Sequence, residues 1–298
     1  MSVAVQGLPS SARDAAALAA RLGVPFHEIA VHAFPDGETR VTVGPAPATT
    51  IVYASMNHPN DKLIALMFAA EALRRGGARR LVLVAPYLCY MRQDTAFTAG
   101  EAISQQVVGR MLARCFDRVV TVDAHLHRTP DIASVFPGIQ SDNLSAMPAI
   151  ADALQNSGLG PDTVVVGPDA ESLPWVSDLA GRLHLRHTVA TKIRRGDRSV
   201  AIEFPDRACI TGHPALIVDD IVSSGGTIIA CARALTAAGA TAIDAVVTHA
   251  LFPESAHPEM RSARVRSIRS THSVSHFTNA IALDELFFDA LKGELTEP

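Results

Sequence analysis

The chain has 298 residues, with 26 Lys and Arg against 30 Asp and Glu, so its formal charge is −4 with 12 neutral histidines. A protein held to nucleic acid by phosphate neutralisation shows the opposite balance. Hydrophobic residues make up 48% and charged residues 19%, which excludes disorder and allows about two domains of roughly 150 residues each. The mean hydropathy is positive, yet Asp, Pro, Gly or Arg interrupts every apolar block well short of the roughly 18 residues that a membrane-spanning helix needs. The opening MSVAVQGLPSSARDAAALAA lacks the basic start and apolar core of a signal peptide. Cys89, Cys115, Cys209 and Cys231 are far apart and form no CxxC pair, as expected of small buried side chains in a reducing cytoplasm.

In chain order, short Val/Ile/Leu runs predict strands at 81–85, 119–122, 163–166, 215–218 and 243–247. Helical spacing predicts helices over 10–22, 60–75, 100–114, 145–156, 172–183 and 227–238. Continuous apolar strands alternating with helices imply βαβ units and parallel sheets covered on both faces. Two stretches look duplicated: RRLVLVAPYLCY…GEAISQQVVGRML…RVVTVDAH and PALIVDDIVSSGG…TIIACARAL…AIDAVVTHA. Two similar α/β domains follow, with a boundary near 140–148. We expect domains over 1–145 and 146–275 and a closing segment over 276–298. The polar, arginine-bearing segment 253–272 reads as a surface crossing. Residues 280–292 read as an amphipathic helix with Leu283, Leu286, Phe287 and Leu291 on one face.

The strongest local signal is LIVDDIVSSGGTIIACARAL, residues 216–235. An apolar strand ends in Asp219 and Asp220, and the small-residue loop Ser223-Ser224-Gly225-Gly226-Thr227 opens into a helix. Ligands of open α/β sheets bind at the carboxyl ends of strands, and helix N-termini offer N–H groups to anions. The glycines let backbone close around a phosphate, the hydroxyls add donors, and the acids suit sugar hydroxyls or Mg²⁺. The bland alternative is a plain βα turn whose acids face water.

This stretch resembles the sugar-phosphate loop of type I phosphoribosyltransferases and of ribose-phosphate pyrophosphokinases. The rest of the chain selects the pyrophosphokinases. FPDGET (34–39) is similar to their Phe-x-Asp-Gly-Glu segment, and PYLCYMRQD (86–94) to their Pro-Tyr-x-x-Tyr-x-Arg-Gln-Asp segment. GEAIS (100–104), VDAH (122–125), SDNL (141–144), GPDA (167–170), KIRR (192–195) and THALF (248–252) continue the match in order. The resemblance implies two phosphoribosyltransferase-like domains, each a mainly parallel sheet flanked by helices. It implies transfer of the diphosphoryl group of Mg-ATP to the 1-hydroxyl of ribose 5-phosphate, giving phosphoribosyl pyrophosphate and AMP. By the same resemblance Lys192 and Arg194 are catalytic, and Phe34, Asp36, Glu38, Arg92, Gln93 and Asp94 bind ATP. Asp219, Asp220, Ser223, Ser224, Gly225, Gly226 and Thr227 bind ribose 5-phosphate, while His125 and Asp169 hold Mg²⁺. A homo-oligomer with the ATP site at a subunit interface is also implied, without nucleic acid or membrane.

These residues also have readings of their own. An Arg fork at 92 suits nucleotide phosphates, Asp36-Gly37 is equally a turn pair, and Lys192 and Arg194 on a hairpin have the reach to close over transferring phosphates. His127 has no counterpart in the match. The chain departs from the family pattern at Ser223-Ser224, at Glu171-Ser172 where small residues are usual, and after His125, where Gln-Gly-Phe-Phe is missing; Trp175 lies close to the second of these. The alternative readings are a catalytically weak homologue that binds nucleotide or sugar phosphate, or a diphosphokinase for a different sugar phosphate.

Overall fold

The computed structural model describes residues 3–155, 157–194 and 200–295; side chains at 192–194 and 200–201 lie outside that description. The chain divides into two compact units, one of residues 1–144, 273–275 and 283–298, the other of 145–272 and 276–282.

The first unit contains β1 (Val3–Gly7), α1 (Ala12–Leu22), β2 (Phe26–Glu28), β3 (Ala30–Ala33), β4 (Thr39–Thr42), β5 (Thr49–Tyr53), α2 (Pro59–Arg75), β6 (Arg80–Ala85), α3 (Ser104–Cys115), β7 (Arg118–Val122) and β8 (Gln140–Leu144). Six strands form one parallel sheet in the order β2-β1-β5-β6-β7-β8, and β3 and β4 make a separate antiparallel hairpin. β1 and β5 are buried along their whole length, as strands covered on both faces must be. Helix α1 buries Ala15, Leu18, Ala19 and Leu22 and ends on Gly23 at φ +69°, a left-handed cap that glycine adopts without strain.

The second unit contains α4 (Met147–Gln155), β9 (Val164–Gly167), α5 (Leu173–Leu183), β10 (Arg186–Val189), β11 (Thr191–Arg194), β12 (Val200–Glu203), β13 (Pro214–Val222), α6 (Gly226–Ala237), β14 (Ala242–Ala250), α7 (His257–Ser262), β15 (Val265–Thr271) and β16 (Asn279–Ile281). Its parallel sheet runs β10-β9-β13-β14-β15-β16, again with a separate antiparallel hairpin, β11-β12. The last helix, α8 (Asp284–Leu291), packs against α1 in the first unit and buries Phe287 and Leu291. The architecture is α/β, two mainly parallel sheets flanked by helices.

All five expected strands are present, as β6, β7, β9, β13 and β14, and all six expected helices within a few residues. Two expectations need correction. Segment 253–272 is not a surface crossing: it forms α7 and then β15, an interior strand whose Val265, Ile268, Ser270 and Thr271 are buried. Its arginines alternate with those buried positions, which hid the strand behind its charge. The duplication is real but registers one strand earlier. Unit order pairs β5-α2-β6 with β13-α6-β14, because in each sheet the strand after the hairpin enters beside the first strand.

Candidate functional site

In the second unit, β13 does not stop at the acids but carries Asp219 and Asp220 inside its last turns of pairing, with Asp219 opposite Val247 and Val222 opposite Ala250. Both acids are buried, at 9% and 3% exposure. The Asp220 N–H donates to Asp219 Oδ1 at 3.1 Å. Burial, then the charge of Asp220, then that of Asp169 raise the Asp219 carboxyl well above the usual carboxylate range. Like charges crowded in a dry site disfavour ionisation, so this cluster gains from hydroxyl donors or a cation.

Beyond Val222 the chain turns through Ser223, Ser224 and Gly225 into α6. Gly225 caps the helix at φ +89°, and a Cβ there would lie 2.6 Å from Met260 Cε. No other residue fits without strain. Ser223, Ser224, Gly226 and Thr227 are exposed, and the Gly226 N–H is only loosely held by Ser224 Oγ at 3.4 Å. The first turn of α6 therefore presents N–H groups and hydroxyls to solvent at the carboxyl end of the sheet, the arrangement that receives a phosphate.

Asp169 follows β9. Its Oδ1 accepts the N–H groups of Glu171 (3.1 Å) and Ser172 (3.3 Å), capping a short 3-10 turn. A carboxylate has lone pairs beyond those two bonds. Glu171 is exposed. A Cβ on Gly167 would collide with Ser172 Oγ, so the turn is folded tightly against the strand end. Lys192 and Arg194 lie on β11, paired through Lys192 to Ile202 and through Arg194 to Val200 in the antiparallel hairpin; their side chains are outside the described residues.

In the first unit, Phe34 through Glu38 form the tip of the β3-β4 hairpin. The Phe34 N–H donates to Glu38 O (2.8 Å), the Gly37 N–H to Phe34 O (2.9 Å), and the Glu38 N–H to Asp36 Oδ1 (3.1 Å). Gly37 supplies φ +92°. The turn leaves Phe34 39% exposed, with the His32 ring 4.8 Å away edge-on and the Arg40 guanidinium 5.9 Å from its centroid. An aromatic face held out by a rigid turn is suited to stacking on a planar ligand.

The loop after β6 carries Arg92, Gln93 and Asp94. Arg92 is exposed. Gln93 is fixed by Ser104, whose hydroxyl donates to Gln93 Oε1 at 2.7 Å. The Asp94 side chain is 2% exposed, and its Oδ2 accepts the Arg128 N–H at 2.9 Å while the Arg128 guanidinium sits 3.3 Å from Oδ1. Asp94 thus ties this loop to the one after β7, which carries His125. The His125 and His127 rings lie 5.2 Å apart. Tyr90 (φ +62°) and Asp123 (φ +38°) hold left-handed backbone in these same two loops, and such strain concentrates at functional positions. Sequence reasoning missed the anchoring roles of Ser104 and Arg128; GEAIS was visible as a motif, whereas Arg128 stands 34 residues from its partner.

Among the described residues no helix is long and apolar enough to cross a membrane. Residues 4–115 match the N-terminal domain of ribose phosphate pyrophosphokinase, and residues 144–285 match the phosphoribosyl transferase domain. The ribose-phosphate pyrophosphokinase 2 of Archaeoglobus fulgidus is 34% identical over 278 residues, covering 93% of this chain and 96% of its own. The ribose-phosphate pyrophosphokinase of Methanopyrus kandleri is 32% identical over 243 residues, 81% of this chain and 82% of its own. The phosphoribosylpyrophosphate synthetase of Mycobacterium smegmatis shares the fold, with a TM-score of 0.86 over 99% of each chain at 21% identity. A third of the residues identical over nearly the full length, on this sheet order, makes the chain a member of the ribose-phosphate pyrophosphokinase family.

Proposed function

We propose that the protein transfers the diphosphoryl group of Mg-ATP to the 1-hydroxyl of ribose 5-phosphate, releasing AMP and phosphoribosyl pyrophosphate. The observation that carries this reading is the pairing of a buried Asp219-Asp220 couple with an open glycine-hydroxyl turn at the head of α6. Few ligands need both: a sugar phosphate offers hydroxyls to the acids and a dianion to the turn.

The sugar O1 attacks the β-phosphorus, the bond from that phosphorus to the α,β-bridging oxygen breaks, AMP departs with the bond electrons, and the hydroxyl proton leaves to solvent. Such transfers are catalysed by alignment and charge neutralisation rather than by a protein nucleophile. Residues 223–227 fix the 5-phosphate, and Asp219 and Asp220 accept from the ribose hydroxyls. Phe34, Asp36 and Glu38 receive the base, with Arg92 and Gln93 completing the ATP contacts; Asp94, expected from its motif to bind ATP, is buried against Arg128 and serves by fixing this loop; the hairpin serves a neighbouring copy of the chain in a homo-oligomer. Lys192 and Arg194 neutralise the phosphoryl oxygens in flight.

Asp169 suits magnesium: a hard carboxylate oxygen with lone pairs beyond its two N–H bonds, near enough to the buried Asp219 for its charge to be felt there. His125 and Asp169 would hold it, and when bound it offsets the charge of the polyphosphate. The reading places the protein in the cytoplasm.

Incubated with Mg-ATP, the protein should release AMP only when ribose 5-phosphate is added. Lys192→Ala should lower that rate by about 10²-fold or more, the scale of losing one transition-state charge contact, with unchanged thermal unfolding. No sugar-dependent AMP across a panel of pentose phosphates would refute the reading.

A further inference from the structure

Strands β6 and β7 are neighbours in the first sheet, and the loops that leave their carboxyl ends run over 86–103 and 123–139. The first carries Arg92 and Gln93, the second His125. Both exceed the roughly 12–15 residues beyond which a loop is usually functional, and the sheet fixes only their ends.

Gln105 joins them. It sits in the first turn of α3 and is 4% exposed. Its backbone N–H donates to Gln93 O at 3.2 Å and its side-chain Nε2 to Met91 O at 3.3 Å, both in the loop after β6. Its Oε1 accepts from the Thr129 hydroxyl at 2.8 Å, in the loop after β7. One turn further along the same face of α3, a Cβ on Gly109 would lie 2.1 Å from Val135 O, so the second loop rests directly on bare helix backbone. The glycine admits the loop, and the glutamine fastens it.

A helix's first turn needs an acceptor for that N–H, but it does not need the side-chain amide. The other buried positions of α3 are Val108, Gly109 and Leu112, so an apolar residue would match this face. An amide buried there is costly unless its atoms are bonded. Here the nitrogen and the oxygen are both bonded, and each to a different loop. The side chain is kept for what it joins.

We propose that Gln105 is a positioning residue: it fixes the separation of the loops after β6 and β7, so that Arg92 and Gln93 on one and His125 on the other meet the same polyphosphate. The proposal rests on the ATP-binding reading of those loops. Asp94 and Arg128 tie the same two loops a second time, so that losing the Gln105 side chain shifts the loops without releasing them.

The test uses the full chain with Gln105→Leu, which keeps the bulk and removes the side-chain bonds, and with Thr129→Val, which removes one hydroxyl from the opposite loop and stands by itself should the leucine variant not fold. Each should raise the KM for ATP about five- to tenfold, within the 10²-fold that misplacement on the order of 1 Å costs, with the KM for ribose 5-phosphate changed less than about twofold. Thr129→Ser should restore wild-type values. The double variant should be no worse than Gln105→Leu alone, because both substitutions break one shared bond. In hydrogen exchange followed by mass spectrometry, Thr129→Val should speed exchange across 91–94, and should add nothing there once residue 105 is leucine. A merely structural glutamine would lower the melting temperature and leave both KM values as in the wild type; that result, additive effects, or faster exchange only in the substituted loop would overturn the proposal. Should the wild type release no sugar-dependent AMP, the diphosphokinase reading fails instead, and the exchange experiment alone decides whether Gln105 couples the loops.

Discussion

Replacing Gly225 by alanine tests the glycine-hydroxyl turn directly. The native φ of +89° costs an L-residue about 1–2 kcal/mol. The new Cβ would also stand 2.6 Å from Met260 Cε, and Met260 is fully buried. The contacting atom ends a flexible side chain, so its displacement belongs at the low end of the 1–3 kcal/mol range for overpacking, about 1 kcal/mol. The two costs sum to about 2–3 kcal/mol, read as a lower urea midpoint at unchanged slope. A turn opened by this much misdirects the N–H groups at the head of α6, and misplacement on the order of 1 Å costs up to about 10²-fold. The KM for ribose 5-phosphate should therefore rise at least tenfold, with a much smaller change in the KM for ATP. An alanine variant with wild-type stability and wild-type KM for the sugar would show that neither the left-handed cap nor the contact with Met260 shapes the site.

Phe34→Ala should leave thermal unfolding within about 0.5 kcal/mol of wild type, because an exposed side chain contributes little to the core, yet raise the KM for ATP severalfold; an unchanged KM would remove the hairpin from the nucleotide site. Glu294→Gln should destabilise the first unit by about 2–3 kcal/mol, since Glu294 is 7% exposed and bridges Arg80 (2.6 Å) and Arg118 (2.9 Å), which keep Asp142 and Gln140 as partial substitutes. Although burial opposes ionisation, hydrogen bonds from Arg80 and Arg118 hold the Glu294 carboxyl below the usual range. Its stabilisation is present above the unfolded value of about 4.3 and lost as pH falls through the lower folded value. The variant should lack that loss in urea titrations between pH 2 and 6. Lys62→Ala should cost about 1–2 kcal/mol in the same assay, because Lys62 Nζ donates to Ser55 O and Asn57 Oδ1, both at 2.7 Å; an unchanged midpoint would mean that the lysine does not brace its loop.

Five strands were legible because their buried residues form unbroken apolar runs. β1 and β5 are buried along their whole length but were missed, since Gln6 and the pair Thr49-Thr50 interrupt their apolar runs. β8 and β15 were not legible either. β8 lies at a sheet edge and reads QSDNL, and in β15 Arg266 and Arg269 alternate with buried positions. The FPDGE turn was legible as a hairpin from Asp36-Gly37 alone. The candidate ligands could be named from local motifs, but their supports could not. Asp94 reads as a nucleotide contact in sequence, whereas its burial against Arg128 comes from a partner on another loop. Glu294 belongs to none of the sequence motifs, and its partners lie 214 and 176 residues earlier. Motifs report which groups a site uses; long-range contacts decide which of them are held fast.

The corrected register of the duplication explains why the two units differ at the turn that heads α2 in one and α6 in the other. The loop after β5 corresponds to the loop after β13, and both helices begin from a left-handed cap, His58 at φ +49° and Gly225 at φ +89°. The backbone plan is shared, but the chemistry is not. In the first unit Pro59 opens α2, so an N–H that could meet an anion is missing. The Ser55 hydroxyl donates to Ser273 O at 2.5 Å, and Lys62 is drawn back onto Ser55 O and Asn57. Half-buried there, with its pKa lowered by burial, the lysine is an internal brace, and its ammonium and the Ser55 hydroxyl are spent within the fold. In the second unit Gly225 and Gly226 keep backbone N–H groups at the surface, with hydroxyls beside them. A fold used twice thus leaves the turn at the head of this helix open in one copy and closed in the other. In the closed copy the candidate ligand groups lie instead on the β3-β4 hairpin and on the loops after β6 and β7, where the strained backbone of Tyr90 and Asp123 is found.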